Sequence, residues 1–219
     1  MDLQFTLDFL SDLSRHNNKE WMDENRKRYQ QAKEEVLELI SEIIQKTVPF
    51  FPAISGLDPK KTLFRINRDV RFSKNKDLYK TNFGASISEG GKKSGNPGFY
   101  LHIMPENNFA GGGVYQPPSD ILQKIRQEID YNGKDIKAII KNDKFRKTFG
   151  EPFMEDKLKT APKGYPKDHE HIELLQLKHY IYMKKFSDKE VISKGFSDKV
   201  VETYQTLQPF NNFLARAMD

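Results

Sequence analysis

Apolar residues recur at helical spacing toward both ends of the chain and at shorter, alternating spacing in its middle. Phe9, Leu10 and Leu13 fall on one face of a short helix that Thr6 would cap, with Phe5 and Leu10 at the positions of a hydrophobic staple. A longer helix is predicted after Asn17: that residue caps, Glu20 completes a capping box, and Trp21, Tyr29, Ala32, Val36, Leu39, Ile40 and Ile43 step by threes and fours. Trp21 reads as core, and Asn18 and Asn25 as cap or helix-surface groups. Pro49 and Pro52 cannot continue a helix and end it.

From Thr62 to Tyr115 the pattern changes to short alternating segments. Eight of the 13 glycines fall between Gly84 and Gly113, which places turns there and favours hairpins over crossover helices. Residues 98–118 read as strand, turn, strand. Ser119 then caps a helix carrying Ile121, Leu122, Ile125 and Ile129, which Tyr131-Asn132-Gly133 stops, and a second short helix covers Asp135 to Lys141. Residues 179–186 read as another strand, and residues 197–218 as one or two terminal helices broken at Pro209. The fold class expected is α+β, in a single domain over residues 1–219. A mainly antiparallel sheet in the middle of the chain is packed by N-terminal, central and C-terminal helices.

Charge adds a sharper feature. The chain holds 36 Lys/Arg and 31 Asp/Glu at a mean hydropathy of −0.75. Eight of those cations lie between Lys60 and Asn82 against only Asp69 and Asp77, leaving 28 basic and 29 acidic residues elsewhere. The positive excess is therefore local, which points to a local field and an anionic partner. Read as a strand, this stretch puts Phe64, Ile66, Val70 and Phe72 on a core face together with Arg68. Arg65, Asn67, Asp69 and Arg71 fall on the other face. Lys74, Lys76, Tyr79 and Lys80 then belong to a loop over the strand's end. Guanidinium forks match phosphate or carboxylate oxygens, so Arg65, Arg68, Arg71, Lys76, Tyr79 and Lys80 are the candidate ligand-binding residues. Asp69 is expected to bond an arginine, with a second carboxylate arriving from a distant element. Asp69 is also a candidate general base if burial raises its pKa, and His102, on a strand face with Tyr100 and Met104, is a candidate for proton transfer. A solvated strand face that protects a sheet edge accounts for the same cations, and a buried carboxylate for Arg68.

Other features narrow the chemistry. With no cysteine, disulfides, thiolate metal sites and cysteine nucleophiles are excluded. Residues 110–120 precede a helix and offer either a phosphate cradle or a glycine-rich strand, without the lysine and spacing of a P-loop. His169 and His171 stand two apart at a helix start, which suits a first turn capped by Asp168 better than a metal site, so no metal is expected. No cofactor is indicated. The first residues show no basic segment followed by a long apolar run, and no stretch reaches membrane-span length, so a cytoplasmic protein without membrane attachment is the default expectation.

The strings FLSDLSRHNNKEWMDENRKRYQ, FRINRDVRFSKNKDLYKTNFGASI, GFYLHIMPENNFAGGGVYQPPSDILQKIRQEI and LKTAPKGYPKDHEHIELLQLKHYIYMKKF are spread along the chain from Phe9 to Phe186. They resemble a bacterial domain-of-unknown-function family, the one numbered twenty-four sixty-one. Asn75-Lys76 and Leu78 stand where the family pattern has Asp-Lys and Pro. The resemblance implies one α+β domain and transfers no catalytic residue. Three functions then compete: a pocket for a phosphorylated or carboxylated small molecule, enzymatic or not; a nucleic-acid surface; and an interaction module docking an acidic protein.

Overall fold

The computed structural model describes residues 3–71 and 75–218. Among these, the helices are α1 (Gln4–Arg15), α2 (Lys19–Glu24), α3 (Arg26–Thr47), α4 (Pro59–Thr62), α5 (Ser119–Lys141), α6 (Asp143–Phe149), α7 (Ile172–Leu175), α8 (Asp188–Val191) and α9 (Phe196–Arg216). The strands are β1 (Phe83–Ile87), β2 (Gly98–Ile103), β3 (Asn108–Val114) and β4 (Tyr180–Phe186), in one antiparallel sheet of order β1-β2-β3-β4. The class is α+β, as the pattern predicted. Phe72 and Lys74, placed above on the core face and in the loop, lie outside the described residues.

Contacts divide the chain into two compact units. The first holds the described residues of Met1–Ser94, Tyr100–Ala110 and Lys185–Glu202; the second holds Gly95–Phe99, Gly111–Lys184 and the described residues of Thr203–Asp219.

In the first unit, α3 is the organising element. Its stripe of Ala32, Val36, Leu39, Ile40 and Ile43 is buried, and α1 supplies Phe9, Leu10 and Leu13 against it. Each such aliphatic or aromatic side chain contributes about 1.5–3 kcal/mol when fully buried. Tyr29 of α3 stacks on Phe83 of β1 with ring centroids 6.3 Å apart and planes 8° from parallel. That contact puts one face of β1 against the helices.

Two helix starts differ from expectation. Leu3, not Thr6, precedes α1. Thr6 is buried in the helix, where its hydroxyl donates to the Glu35 carboxylate at 2.7 Å. A long-range acceptor outcompetes the local cap. Asn18 caps α2 by accepting from the Trp21 amide, which frees Asn17 for another task described below. The predicted long helix is also interrupted at Asn25, the junction of α2 and α3. Trp21 is half-buried, stacked with Phe9 and His16 at 5.9 and 5.8 Å.

In the second unit, α5 continues past the expected stop and only kinks at Asn132 (φ −121°, ψ 26°). Gly133 follows the kink because a methyl group there would overlap the buried His171 ring. Pro118, not Ser119, precedes α5, and Asp168 does not cap α7, which follows His171. His171 donates its backbone N–H to His169 Nδ1 at 3.0 Å, while His169 Nε2 meets Asp130 at 2.8 Å, so local side chains organise this turn.

The three glycines before Val114 are the middle of β3, not a loop. A Cβ at Gly111, Gly112 or Gly113 would overlap the Tyr182, Gly98 or Tyr180 carbonyl, so close approach of neighbouring backbone is their use here. Helix α9 runs unbroken through Pro209. Both Pro209 and Gln205, whose carbonyl loses its helical partner, are exposed, so water can take the place of the missing N–H. No helix among the described residues is long and apolar enough to cross a membrane.

Candidate functional site

Every residue of the site belongs to the first unit. It begins where the chain leaves α4 and runs along the edge of the sheet. Leu63 forms an antiparallel bridge with Ala85 of β1, and Phe64 donates its N–H to the Gly84 carbonyl at 2.9 Å. The chain then turns from β1 to pair with its own return limb. Arg68 donates to the Leu78 carbonyl, Lys80 donates to the Ile66 carbonyl, and Asn67 bridges Tyr79. The predicted strand through Phe64–Phe72 is thus corrected: two isolated bridges with different partners replace one ladder. Strict alternation fails as a result. Ile66 is buried, Phe64 is 37% exposed, and Arg65 and Arg71 are exposed with Arg68 half-buried.

In an antiparallel bridge of this kind, the N–H and C=O of Tyr79 point away from Asn67. Asn17 meets both. Its Nδ2 donates to the Tyr79 carbonyl at 3.0 Å, and its Oδ1 accepts from the Tyr79 amide at 2.9 Å. One side-chain amide thereby stands in for a neighbouring strand and holds the return limb. The Tyr79 side chain is only 8% exposed, so it serves as packing for that limb.

The cations divide into two groups. At the tip, they are answered locally. Arg71 Nε and Nη2 donate to the two oxygens of Asp69 at 3.0 and 2.7 Å, and Arg68 stands 3.7 Å from Asp77. Exposed Lys76 reaches the Val70 carbonyl at 3.4 Å. The expected Asp69–arginine bond is present. A carboxylate beside Arg68, that of Asp77, comes from the same loop. Arg71 holds the Asp69 carboxyl below its ordinary value, which is the opposite of what a general base needs, and Asp69 is exposed.

At the base, Lys80 and Lys92 flank Phe64, and Arg65 lies close enough to Lys80 to act on its charge. Lys80 Nζ lies 5.5 Å and Lys92 Nζ 5.9 Å from the Phe64 ring centroid. Among the described residues, no carboxylate lies within ion-pair distance of Arg65, Lys80 or Lys92. Burial, Arg65 and Lys92 all push the Lys80 amine below its ordinary pKa. Lys92 is brought here by a glycine turn after β1. Buried Ser88 donates its hydroxyl to the Gly91 carbonyl at 3.0 Å, Gly90 and Gly91 take φ of 77° and 76°, and Lys92 then donates to the Leu63 carbonyl.

Beside this base lies the face of the sheet turned away from Phe83 and α3. Alternation along β2 and β3 places Tyr100, His102 and Phe109 there, all half-buried. Gly84 clears the space for Tyr100, whose hydroxyl a Cβ at that position would overlap. Phe64 leans on Tyr100 at 6.3 Å, and His102 stacks on Phe109 at 4.5 Å and 9°. His102 Nδ1 faces both the Asn82 amide nitrogen and the Tyr100 hydroxyl at 3.4 Å. Acceptance from Asn82 leaves the proton on Nε2, which is buried and has no hydrogen-bond partner among the described residues. Burial lowers the His102 pKa to about 4 and raises that of Tyr100 to about 12. At neutral pH the face therefore presents an uncharged imidazole and a protonated phenol.

The family described as "Conserved hypothetical protein (DUF2461)" matches residues 5–213. The chain belongs to this family. Comparison with curated proteins and with solved structures gave no match. Membership bears out the resemblance read from the sequence and brings with it no assigned chemistry, so the residues themselves must carry the reading. Of the six ligand-binding candidates, the fold brings Arg65 and Lys80 together. It leaves Arg68, Arg71 and Lys76 at the tip and buries Tyr79. Lys92, Asn82 and the Phe64 ring were missed. The adjacent lysines of Gly90-Gly91-Lys92-Lys93 gave some signal, but nothing in the strand pattern tied them to Phe64. Among the described residues no group of three or more His, Asp or Glu is arranged to hold a metal ion.

Proposed function

We propose that this protein binds an anionic small molecule, phosphorylated or carboxylated, at Arg65, Lys80 and Lys92, with Phe64 and the Tyr100–His102 face as the adjoining wall. The observation that carries the reading is the convergence of two lysines on one aromatic ring, with Arg65 in electrostatic reach of Lys80 and no carboxylate in ion-pair distance of the three, a few residues from a tip where the cations do have acids beside them. Cations gathered in a partly dry site repel one another, and a bound anion relieves that repulsion.

Calorimetry and thermal shift with inorganic phosphate, sulfate, phosphate monoesters and small carboxylates test this. Binding should be lost in Lys80→Ala and Lys92→Ala and kept in Arg71→Ala, whose guanidinium is occupied by Asp69. Absence of binding by all of these anions, or equal loss in Arg71→Ala, refutes the assignment. Single- and double-stranded nucleic acids belong in the same experiment. Affinity for them that exceeds affinity for the small anions and falls steeply with salt would replace the pocket with a phosphate-tracking surface.

A further inference from the structure

Two lysines of the first unit define opposite situations. Lys46 Nζ sits 2.7 Å from Glu42 and 2.5 Å from Asp198, and these carboxylates raise its pKa, as suits a structural ammonium. Lys80 has no such acid. Its neighbours are the Phe64 ring, Arg65 and Lys92. A ring face attracts an ammonium by about 0.5–1 kcal/mol at an exposed site. Burial, Arg65 and Lys92 act in the other direction and push the amine below its ordinary pKa. An amine desolvated beside other cations is the arrangement that activates lysine as a nucleophile.

Resting on the anion-binding reading above, we propose that Lys80 is a nucleophilic amine that forms an imine with an aldehyde or ketone bearing a phosphate or carboxylate group, which Arg65 and Lys92 hold. In this step the lone pair of neutral Lys80 Nζ attacks the carbonyl carbon, and the C=O π pair moves to oxygen. Nitrogen gives up a proton and oxygen gains one, giving a carbinolamine. A second proton delivered to that hydroxyl lets it leave as water while the nitrogen lone pair forms C=N, and the iminium nitrogen then releases its remaining proton, which returns the one delivered and leaves the imine. The balance is one carbonyl and one amine to one imine and one water, with no oxidant or reductant consumed. The protons are exchanged with solvent, which reaches the half-buried Lys80 and the exposed Arg65 beside it. The two remaining cations keep distinct work. Lys92 is tied to the Leu63 carbonyl by one of its three donors, leaving two for the anion, and Arg65 offers a guanidinium fork.

Pyridoxal 5′-phosphate, an aldehyde with a phosphate, is a suitable probe. The full-length chain is mixed with a slight molar excess, reduced with borohydride, digested and mapped by mass spectrometry. Lys80 should carry at least tenfold more adduct than any other lysine. Excess inorganic phosphate should suppress the labelling, Lys80→Arg should abolish it at that position, and Lys92→Ala should cut it severalfold. Pyridoxal without the phosphate should label Lys80 at least tenfold less. Pyridoxine 5′-phosphate, which has no aldehyde, separates the two readings. If it binds and Lys80 shows no preferential adduct, the nucleophile is refuted and the anion site stands. If neither compound binds, both fall. Equal labelling of Lys80 by pyridoxal with and without phosphate overturns the proposed substrate class. Because adduct mapping is done on the unaltered chain, the outcome holds even if a variant fails to fold.

Discussion

Acid should destabilise this protein through His102, and the size of the effect follows from where that imidazole sits. Its ordinary pKa of 6.5 is lowered to about 4 by burial on the β2 face, against Phe109 and beneath Asn82 and Tyr100. The unfolded chain therefore binds a proton at higher pH than the folded one. Stability from this group is complete above the unfolded value, declines as pH falls from about 6.5 to about 4, and changes no further below that. Each tenfold difference in proton affinity is worth about 1.36 kcal/mol, so the whole window amounts to about 3 kcal/mol, of which about 2 kcal/mol is lost between pH 7 and pH 5. Urea unfolding at half-unit steps from pH 7.5 to pH 4 would be compared between the wild type and His102→Gln. The variant loses the stack on Phe109 at every pH, so the informative quantity is how the difference between the two curves varies with pH. Groups common to both, including His171 with its own lowered pKa, cancel in that difference. The gap should narrow toward acid by about 2 kcal/mol as far as pH 5. Parallel curves, or an imidazole resonance of His102 titrating near 6.5, would refute the reasoning.

Other changes follow from named contacts. Asn17→Ala should lower stability by about 1–3 kcal/mol in urea melts, since two hydrogen bonds to the Tyr79 backbone are lost at about 0.5–1.5 kcal/mol each; an unchanged midpoint would mean that the amide pairing contributes nothing net. Gly133→Ala should destabilise by about 1–3 kcal/mol through overlap with His171, although alanine in a helix is ordinarily favoured over glycine by about 1 kcal/mol. A rise in melting temperature would contradict that packing. Asp69→Asn should leave the urea midpoint unchanged, because its partnership with Arg71 is solvent-exposed; a clear loss of stability would show that the tip is held more tightly than its exposure implies.

The elements that could be read from sequence were those whose partners are close along the chain. The β2–β3 hairpin and the apolar stripes of α1 and α3 announce themselves through periodicity; β4, whose partner β3 lies far upstream, is the exception, legible from its own apolar pattern. The basic segment was misread because its partners change partway. Leu63 and Phe64 pair with β1, Ile66 to Arg68 pair with their own return limb, and Asn17 acts from far upstream. Charge counting pointed to the segment of the proposed site and to two of its members, Arg65 and Lys80. It gave the tip cations equal weight because formal charge does not reveal that Asp69 occupies Arg71 while Asp77 stands beside Arg68. Lys92 could not be tied to Phe64 for a different reason: its arrival depends on the turn that Ser88 and two left-handed glycines build. Pro209 failed as a helix breaker because its exposed side leaves the orphaned carbonyl to water.

The clasp of Asn17 on Tyr79 also fixes an order of events. These residues are 62 apart in sequence. Closing a flexible loop of that length from an unstructured chain costs about 3.7 kcal/mol in its length-dependent part alone. Two hydrogen bonds worth about 1–3 kcal/mol together cannot meet that cost unaided. Packing of α1 and α3, and the stacking of Tyr29 on Phe83, must first shorten the effective loop. The limb that carries Lys80 is then a late arrival, set in place only on an N-terminal core that has already assembled. Mutations deep in α1 or α3 would be felt at Lys80 as a failure of assembly, at a distance from any anion.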